Sequence, residues 1–277
     1  MIDYRELTTF KQRVWDYYHA NKRSFPWRET TDIYFILVSE LMLQQTQTDR
    51  VVPKYTAFMQ IFPTVASLAS ASLTEVLGMW QGLGYNRRAL FLKRLSEEVV
   101  GYHSGVVPET VAKLDALPGI GYATACAILT YSRNIPTVFI ETNVRTVFIH
   151  SFYPDQTEVK DADIEPLVAA AVDNENPREW YYALTDYGVM LKKNVPNPNR
   201  KSAHYVKQSS FLGSDRKIRG EIVRLLLDKP SWTVDDLYAS TGTDYARLGK
   251  ILKGMTKDGL VQSDGTYFRI FENAKKN

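Results

Sequence analysis

The 277-residue chain contains a single cysteine, Cys126. One thiol excludes an intramolecular disulfide and any cluster or structural zinc held by several thiolates. No apolar run approaches the roughly 18 residues that a membrane-spanning helix needs. The opening Met-Ile-Asp-Tyr-Arg-Glu-Leu also lacks a basic segment followed by an apolar one, so the expectation is a cytoplasmic protein with no membrane partner. Excess charge is scarce too: 34 basic against 31 acidic residues leave +3, and any surface for nucleic acid must be local. What the chain does have is 44% hydrophobic residues, enough for an ordinary core, over a length that suits one large or two modest domains.

Leu7, Phe10, Val14 and Tyr17 recur every three to four positions, which predicts a helix over 5–20 with one buried face. Pro26 breaks the pattern in Asn21-Lys-Arg-Ser-Phe-Pro-Trp-Arg28. There Trp27 lies between Arg23 and Arg28. It reads either as a buried ring capping a loop or as a planar surface flanked by guanidinium groups, suited to an extruded base and its phosphates. Residues 33–47 form an apolar run of helical length with one acid inside it, Glu40, whose neighbours three and four positions away are Ile36, Leu37, Leu43 and Gln44. Desolvation in such company raises a carboxyl pKa, as a proton donor at neutral pH requires; the alternative is a buried acid with a structural partner. Gln44-Gln45-Thr46-Gln47 then offers amides at a helix end, for base edges, for filling a duplex, or for capping.

Helical periodicity continues through Val51, Val52, Tyr55, Phe58 and Met59, and again through Leu68, Leu73, Val76 and Leu77, implying short helices in an orthogonal α-helical domain. Trp80-Gln-Gly-Leu-Gly-Tyr-Asn-Arg-Arg-Ala-Leu90 joins a glycine turn to an aromatic and two arginines. Tyr85 suits a stacking wedge and Arg87 or Arg88 a phosphate contact, although such a segment also serves as a plain turn between helices. In Leu114-Asp-Ala-Leu-Pro-Gly-Ile-Gly-Tyr-Ala-Thr-Ala125, a tight hairpin before a small-residue helix lets backbone N–H groups approach an anion; paired glycines also occur in ordinary turns. Residues 135–140 read as extended or buried. Glu141 follows at a helix start with Asn143 and Arg145 within one turn, either facing a cavity or complementing the helix dipole.

The last sixty-five residues read as three helices and a β-hairpin. Helices are expected over 214–227, 234–240 and 244–257, with a hairpin about Asp264-Gly265. That is a winged helix-turn-helix. Arg247, Lys250, Lys253 and Lys257 recur along its third helix and suit phosphates or a groove; a protein-binding winged helix with a solvated basic face is the alternative.

Taken together, Phe25-Pro-Trp-Arg, Ser39-Glu-Leu-Met-Leu-Gln-Gln-Thr-Gln, Gly82-Leu-Gly-Tyr, Leu117-Pro-Gly-Ile-Gly and Glu141-Thr-Asn-Val resemble, in order, the motifs of the helix-hairpin-helix (HhH-GPD) DNA glycosylase superfamily. The Ser-Glu-x-Met-Leu-Gln-Gln-Thr-Gln run is similar to its adenine glycosylase branch. The resemblance covers about residues 1–210. It implies that Glu40 protonates adenine N7 and that Glu141 is the second carboxylate. Arg23, Trp27, Arg28, Leu43 and Asn143 would line or support a base pocket, and Gln44, Gln45 and Tyr85 would fill or wedge the duplex. Leu117, Gly119 and Gly121 would hold a phosphate through the hairpin. Outside the resemblance, Arg87, Lys250 and Lys253 are kept, on the reading of the residues themselves, as further DNA contacts. Cleaving an N-glycosidic bond asks for an acid at the base and a carboxylate near the developing oxocarbenium sugar.

The chain departs from that family pattern in four places. The second carboxylate is normally Asp and here is Glu141, one methylene longer. The four cysteines of the family's iron–sulfur loop, which follow a segment like Asp186-Tyr-Gly-Val-Met190, are replaced by Lys192, Asn199, Ser202 and Gln208, so no cluster or other cofactor is expected. Ala123 stands where endonuclease III relatives place a Schiff-base lysine, which implies monofunctional hydrolysis. The usual C-terminal reader of 8-oxoguanine is missing. The resulting expectation is a mainly α protein, with a glycosylase domain over 1–211 and an α+β winged helix over 212–277. It would act as a monomer on double-stranded DNA and remove a mispaired adenine. A glycosylase for uracil, thymine or another damaged base, and a non-catalytic lesion sensor or regulator, are the alternatives.

Overall fold

The computed structural model describes residues 4–207 and 210–272; Gln208 therefore lies outside the described residues. Two compact units divide the chain. The first takes in Met1–Leu37, Glu109–Ala116 and Ile120–Lys207, the second Val38–Pro108, Leu117–Gly119 and Gln208–Asn277.

In the first unit, helix α1 (Tyr4–Asn21) turns Leu7, Phe10, Val14 and Tyr18 inward. The periodicity holds but its last member is Tyr18 rather than Tyr17, which is half-buried and meets Tyr187 edge-on. A period of 3.6 brings the fourth apolar position round to either neighbour. Phe10 reaches Phe148, Phe152 and Trp180, all at ring distances near edge contact. Around this aromatic set pack α8 (Tyr122–Arg133), α9 (Thr142–Phe152), α10 (Asp161–Ala171) and α11 (Pro177–Asn194). Each buried aromatic or aliphatic side chain contributes about 1.5–3 kcal/mol relative to exposure. Residues 135–140, read as extended or buried, take no regular structure and only Phe139 of them is buried; it stacks on Tyr181 with ring centres 3.9 Å apart.

Helix α11 approaches α9 closely because Gly188 has no side chain. A Cβ there would lie 2.9 Å from the Asn143 carbonyl oxygen and 3.0 Å from the Asn143 Cβ. Short α7 (Val111–Asp115), capped by Thr110, precedes the hairpin, and Gly121 starts α8.

Helix α2 (Ile33–Leu43) begins in the first unit, where the Asp32 carboxylate accepts the N–H groups of Tyr34 and Phe35. Its residues from Val38 onward belong to the second. An apolar residue faces nearly every direction, so the helix is buried all round: Ile36, Leu37, Val38, Leu41 and Met42 are each at most 1% exposed. The second unit continues with α3 (Thr48–Ile61), α4 (Val65–Ser70), α5 (Leu73–Trp80) and α6 (Arg87–Tyr102). Capping boxes at Thr64 and Ser72 start α4 and α5, each satisfying backbone donors that the first turn leaves open.

The chain then folds as α12 (Asp215–Asp228), β1 (Trp232–Thr233), α13 (Val234–Thr241), α14 (Tyr245–Asp258), β2 (Val261–Ser263) and β3 (Tyr267–Ile270). The strands are antiparallel in the order β1-β3-β2. This is the expected winged helix, with the turn at Gly265 (φ +98°). The Trp-Thr pair adds a third strand to the hairpin. The segment is tied to the other helices of its unit: Glu272 accepts the Leu73 and Thr74 N–H groups at 3.1 and 2.8 Å, capping α5 from across the sequence. At the end of α14, Asp258 pairs with Arg87 at 3.6 Å, and its carbonyl accepts from Arg94 at 3.3 Å.

Candidate functional site

In the first unit, Glu141 sits just before α9 with an extended backbone, and its Oε1 accepts two hydrogen bonds. Thr185 Oγ1 of α11 donates at 3.1 Å and Asn143 Nδ2 at 3.2 Å. The Asn143 Oδ1 in turn accepts from Lys192 Nζ at 2.6 Å. Thr185, Gly188 and Lys192 are three and four residues apart, so they share one face of α11. Two of them reach the Glu141 group and the third lets the helices close. Burial pushes the Lys192 ammonium pKa down; Glu141 opposes this and Arg23 adds to it. The half-buried carboxylate is thus fixed by a hydroxyl and an amide, with a cation behind the amide.

The Asn21–Arg28 segment converges on Asp186, one residue past Thr185. Arg28 grips this carboxylate with Nη1 to Oδ2 and Nη2 to Oδ1, both 2.9 Å, and Arg23 Nε reaches Oδ1 at 2.7 Å. Burial pushes the Asp186 carboxyl up, but the hydrogen bonds and charges of Arg28 and Arg23 outweigh it and hold it below the usual carboxylate range. The Arg28 guanidinium also lies 4.3 Å from the Tyr182 ring centre. Trp27 is 4% exposed and stacks on Phe25 at 5.2 Å. The interior placement of Trp27 and Arg28 matches the loop-cap reading of this segment: their rings and charges are satisfied by the protein itself. Arg23, partly exposed, is the member of the trio nearest solvent.

In the second unit, Glu40 is half-buried on α2, and Leu43 and Gln44 near its end are likewise half-buried. Gln45 beyond them is exposed, with φ at +53°. Arg88 holds this region together. Its Nη1 donates to the Leu41 and Met42 carbonyls at 2.7 and 2.9 Å, while Nη2 donates to Thr46 Oγ1, Leu83 O and Gly84 O at 2.9, 3.3 and 3.1 Å. The last carbonyls of a helix lack partners within it, and the guanidinium fork supplies them while binding the glycine loop. Burial lowers the Arg88 pKa to about 10. Arg88 is therefore interior, which removes it as a phosphate contact; Arg87, exposed beside it, points elsewhere and pairs with Asp258. Tyr85 follows the loop with φ at +49°.

The hairpin glycines have different reasons to be there. Gly119 has φ at +80°, and a Cβ on it would come within 2.6 Å of the Phe91 Cβ. Gly121 has an ordinary φ of −115° and nothing within 4 Å of a notional Cβ. Leu117 is buried. On α14, Lys250, Lys253 and Lys257 are exposed along one face. Arg247 departs from that row, bonding Asp215 through Nε at 2.8 Å and the Gly213 carbonyl at 2.6 Å.

At the positions of the iron–sulfur loop, Lys192 is engaged with Asn143. Ser202 is buried where Val159 exchanges backbone hydrogen bonds with Lys201 and Ala203 at 2.8 and 2.9 Å. Asn199 lies in a single turn of 3-10 helix, Pro198–Lys201. These donors do not fit a thiolate-bound cluster, and backbone hydrogen bonds tie the loop down. Among the described residues, no group of three or more His, Cys, Asp or Glu is placed to hold a metal ion. No helix among them is long and apolar enough to cross a membrane. Sequence reading missed Asp186, Thr185 and Arg88 as organisers, since each acts on residues distant in the chain.

The family model of the HhH-GPD superfamily base excision DNA repair proteins matches residues 38–166. An adenine DNA glycosylase of Mycolicibacterium smegmatis is 30% identical over 276 residues, covering 91% of this chain and 92% of that one. One from Buchnera aphidicola subsp. Baizongia pistaciae is 30% identical over 179 residues, covering 63% of this chain and 50% of its own length; against that relative the chain spans half the length. Among solved structures, a thermostable thymine-DNA glycosylase superposes with a TM-score of 0.63 at 23% identity, covering 72% of this chain and 91% of the other, a likeness of fold. The chain belongs to the HhH-GPD superfamily of base excision DNA repair proteins and, within it, to the adenine DNA glycosylase family.

Proposed function

We propose that the protein is a DNA glycosylase that hydrolyses the N-glycosidic bond of an adenine extruded from a mispair in double-stranded DNA. The observation that carries this reading is the Glu141 carboxylate, fixed by Thr185 and Asn143 at the start of α9, in a chain of the adenine glycosylase family. In this account Glu40 delivers a proton to the base, so that it leaves neutral. The Glu141 carboxylate stabilises the oxocarbenium character that develops at C1′, and water completes the sugar. Lys192 steadies Glu141 through Asn143. The longer glutamate side chain is thereby held to one position rather than left to sample several.

Arg23, Trp27, Arg28, Leu43 and Asn143 are the residues read as lining or supporting the extruded base. Gln44, Gln45 and Tyr85 enter the duplex beside the extruded nucleotide, whose unstacking costs about a few kcal/mol. Backbone N–H groups at Leu117, Gly119 and Gly121 hold a phosphate, and the open space at Gly121 suits that approach. Arg87, Lys250 and Lys253 add sequence-independent phosphate contacts. The enzyme works as a cytoplasmic monomer without an iron–sulfur cluster, and the winged helix over 212–277 serves as its DNA-binding appendage.

Duplexes carrying defined mispairs and damaged bases, treated with alkali after incubation, test the reading. The expected result is alkali-labile sites at mispaired adenine, with no efficient borohydride trapping because Ala123 offers no amine. Tight binding with no labile site on any duplex would identify a non-catalytic lesion sensor instead.

A further inference from the structure

Tyr85 is read as a side chain that enters the duplex, yet its ring is already engaged by the protein itself. Two guanidinium groups lie over it, Arg88 at 5.5 Å from the ring centre and Arg216, from the first turn of α12, at 5.0 Å. Arg216 also donates to the Tyr85 hydroxyl and lies 5.5 Å from the centre of the Phe211 ring. The two arginines differ in what else they hold. Arg88 is buried and committed to the carbonyls of Leu41, Met42, Leu83 and Gly84, so it belongs to the frame. Arg216 is half-buried and held by the Tyr85 ring and hydroxyl and by the exposed Phe211.

Arg216 has an unfavourable place in its helix, because a cation in the first turn is opposed by the positive end of the dipole. Stacking on two rings and a hydrogen bond from a charged donor compensate. A tyrosine wedges a duplex by setting its face against a base step. A face that lies under a guanidinium, with the hydroxyl bonded to the same group, is not presented to one. The backbone beneath is fixed, with φ at +49° and the Tyr85 carbonyl accepting the Arg88 N–H at 2.9 Å. Release is therefore a matter of side chains: Arg216 swings off the ring while the loop keeps its course. Arg50, Lys217 and Arg224 line the same cleft, of about 680 Å³, in which Glu221 is the lining acid. A cleft so charged draws in phosphate, and a phosphate is a better acceptor for a guanidinium than a neutral hydroxyl is.

We propose that Arg216 is an autoinhibitory latch, which holds the Tyr85 ring against the protein and releases it when DNA phosphates enter the cleft. The proposal rests on the DNA-glycosylase reading, from which Tyr85 takes its role in the duplex, and adds a control on when that role is played. While the latch is closed, the fraction of molecules able to wedge the duplex is reduced, and the apparent rate of wedging falls with it.

The test mixes the full chain rapidly with a duplex that carries a tetrahydrofuran abasic analogue and, beside it in the same strand, 2-aminopurine, whose fluorescence rises on unstacking. Tyr85→Phe keeps the ring and deletes the hydrogen bond of the latch. It should raise the rate of unstacking about three- to fivefold, the equivalent of one net hydrogen bond. Phe211→Leu, at a side chain exposed enough to spare the fold, should raise it about twofold by removing one of the two rings under Arg216. In an Arg216→Ala background, Tyr85→Phe should change the rate by less than about 1.5-fold, because the two groups act through each other. Tyr85→Ala should abolish the signal. A rate unchanged or lowered in Tyr85→Phe, a rise that persists undiminished in the Arg216→Ala background, or unstacking by Tyr85→Ala as fast as by wild type would each overturn the latch. A wild type that unstacks the duplex but excises no base would refute the glycosylase reading, and the same rates would still decide the latch.

Discussion

Each unit has a buried arginine at its organising point, and the two are satisfied in opposite ways. Arg28 meets a carboxylate: Asp186 accepts from both ends of its fork, and the burial cost of one charge is offset by the other. Arg88 meets neutral oxygens only, four carbonyls and a hydroxyl. The pKa directions record the contrast. Asp186 outweighs desolvation and raises Arg28, whereas burial brings Arg88 down to about 10. An ion pair joins two points of the chain, so Arg28 fastens the Trp27 turn to α11. A fork spread over carbonyls gathers backbone instead, so Arg88 shapes the end of α2 and the loop before Tyr85 together. The first arrangement braces a helix that carries Thr185 and Lys192. The second fixes the course of the glycine loop before Tyr85.

Breaking the charged knot should have the largest effect. Asp186→Asn leaves two arginines facing a neutral amide, and losing one partner of a buried pair costs about 3–5 kcal/mol, readable as a lowered urea midpoint. Arg88→Met should cost less, about 2–3 kcal/mol, since the stranded groups are uncharged carbonyls. Arg88→Lys should restore little, because a point charge cannot reproduce the fork.

Acid separates the two knots further. The Asp186 carboxyl titrates lower in the folded chain than in the unfolded one. Its contribution is therefore complete above about pH 4, the unfolded carboxylate value, and is lost as pH falls toward and through the folded value. Stability measured against pH should lose part of this acid arm in Asp186→Asn and keep it in Arg88→Met.

The smallest change concerns what α11 carries. Lys192→Met should leave the melting temperature within a few degrees yet lower single-turnover excision by about ten- to a hundredfold, the scale of an ångström's misplacement at a reacting centre. Lys192→Arg should recover part of that activity.

Local patterns were readable and long-range partners were not. The helix of α1, the apolar α2 around Glu40 and the wing turn at Asp264-Gly265 follow from periodicity and turn chemistry within a few residues. Trp27 and Arg28 stood out as a site because their sequence neighbours are polar and aromatic, but the residue that claims Arg28 lies 158 positions away. Lys192 read as an absent cysteine at the start of a Pro- and basic-rich loop over 192–207 suited to face DNA. Its hydrogen bond to Asn143 depends on α9 and α11 closing at Gly188, which no spacing discloses. The basic row of α14 was legible as a helical face, except that Asp215 of α12 takes Arg247 out of it.

The most direct measurement is single-turnover excision of mispaired adenine by wild type, Glu40→Gln and Glu141→Gln under one set of conditions, with folding of the variants checked by thermal melting. The account predicts labile sites with wild type and a loss of at least about a hundredfold in each variant, as expected when a general acid or a charge-stabilising group is removed. Full activity in either folded variant would contradict the two-carboxylate mechanism.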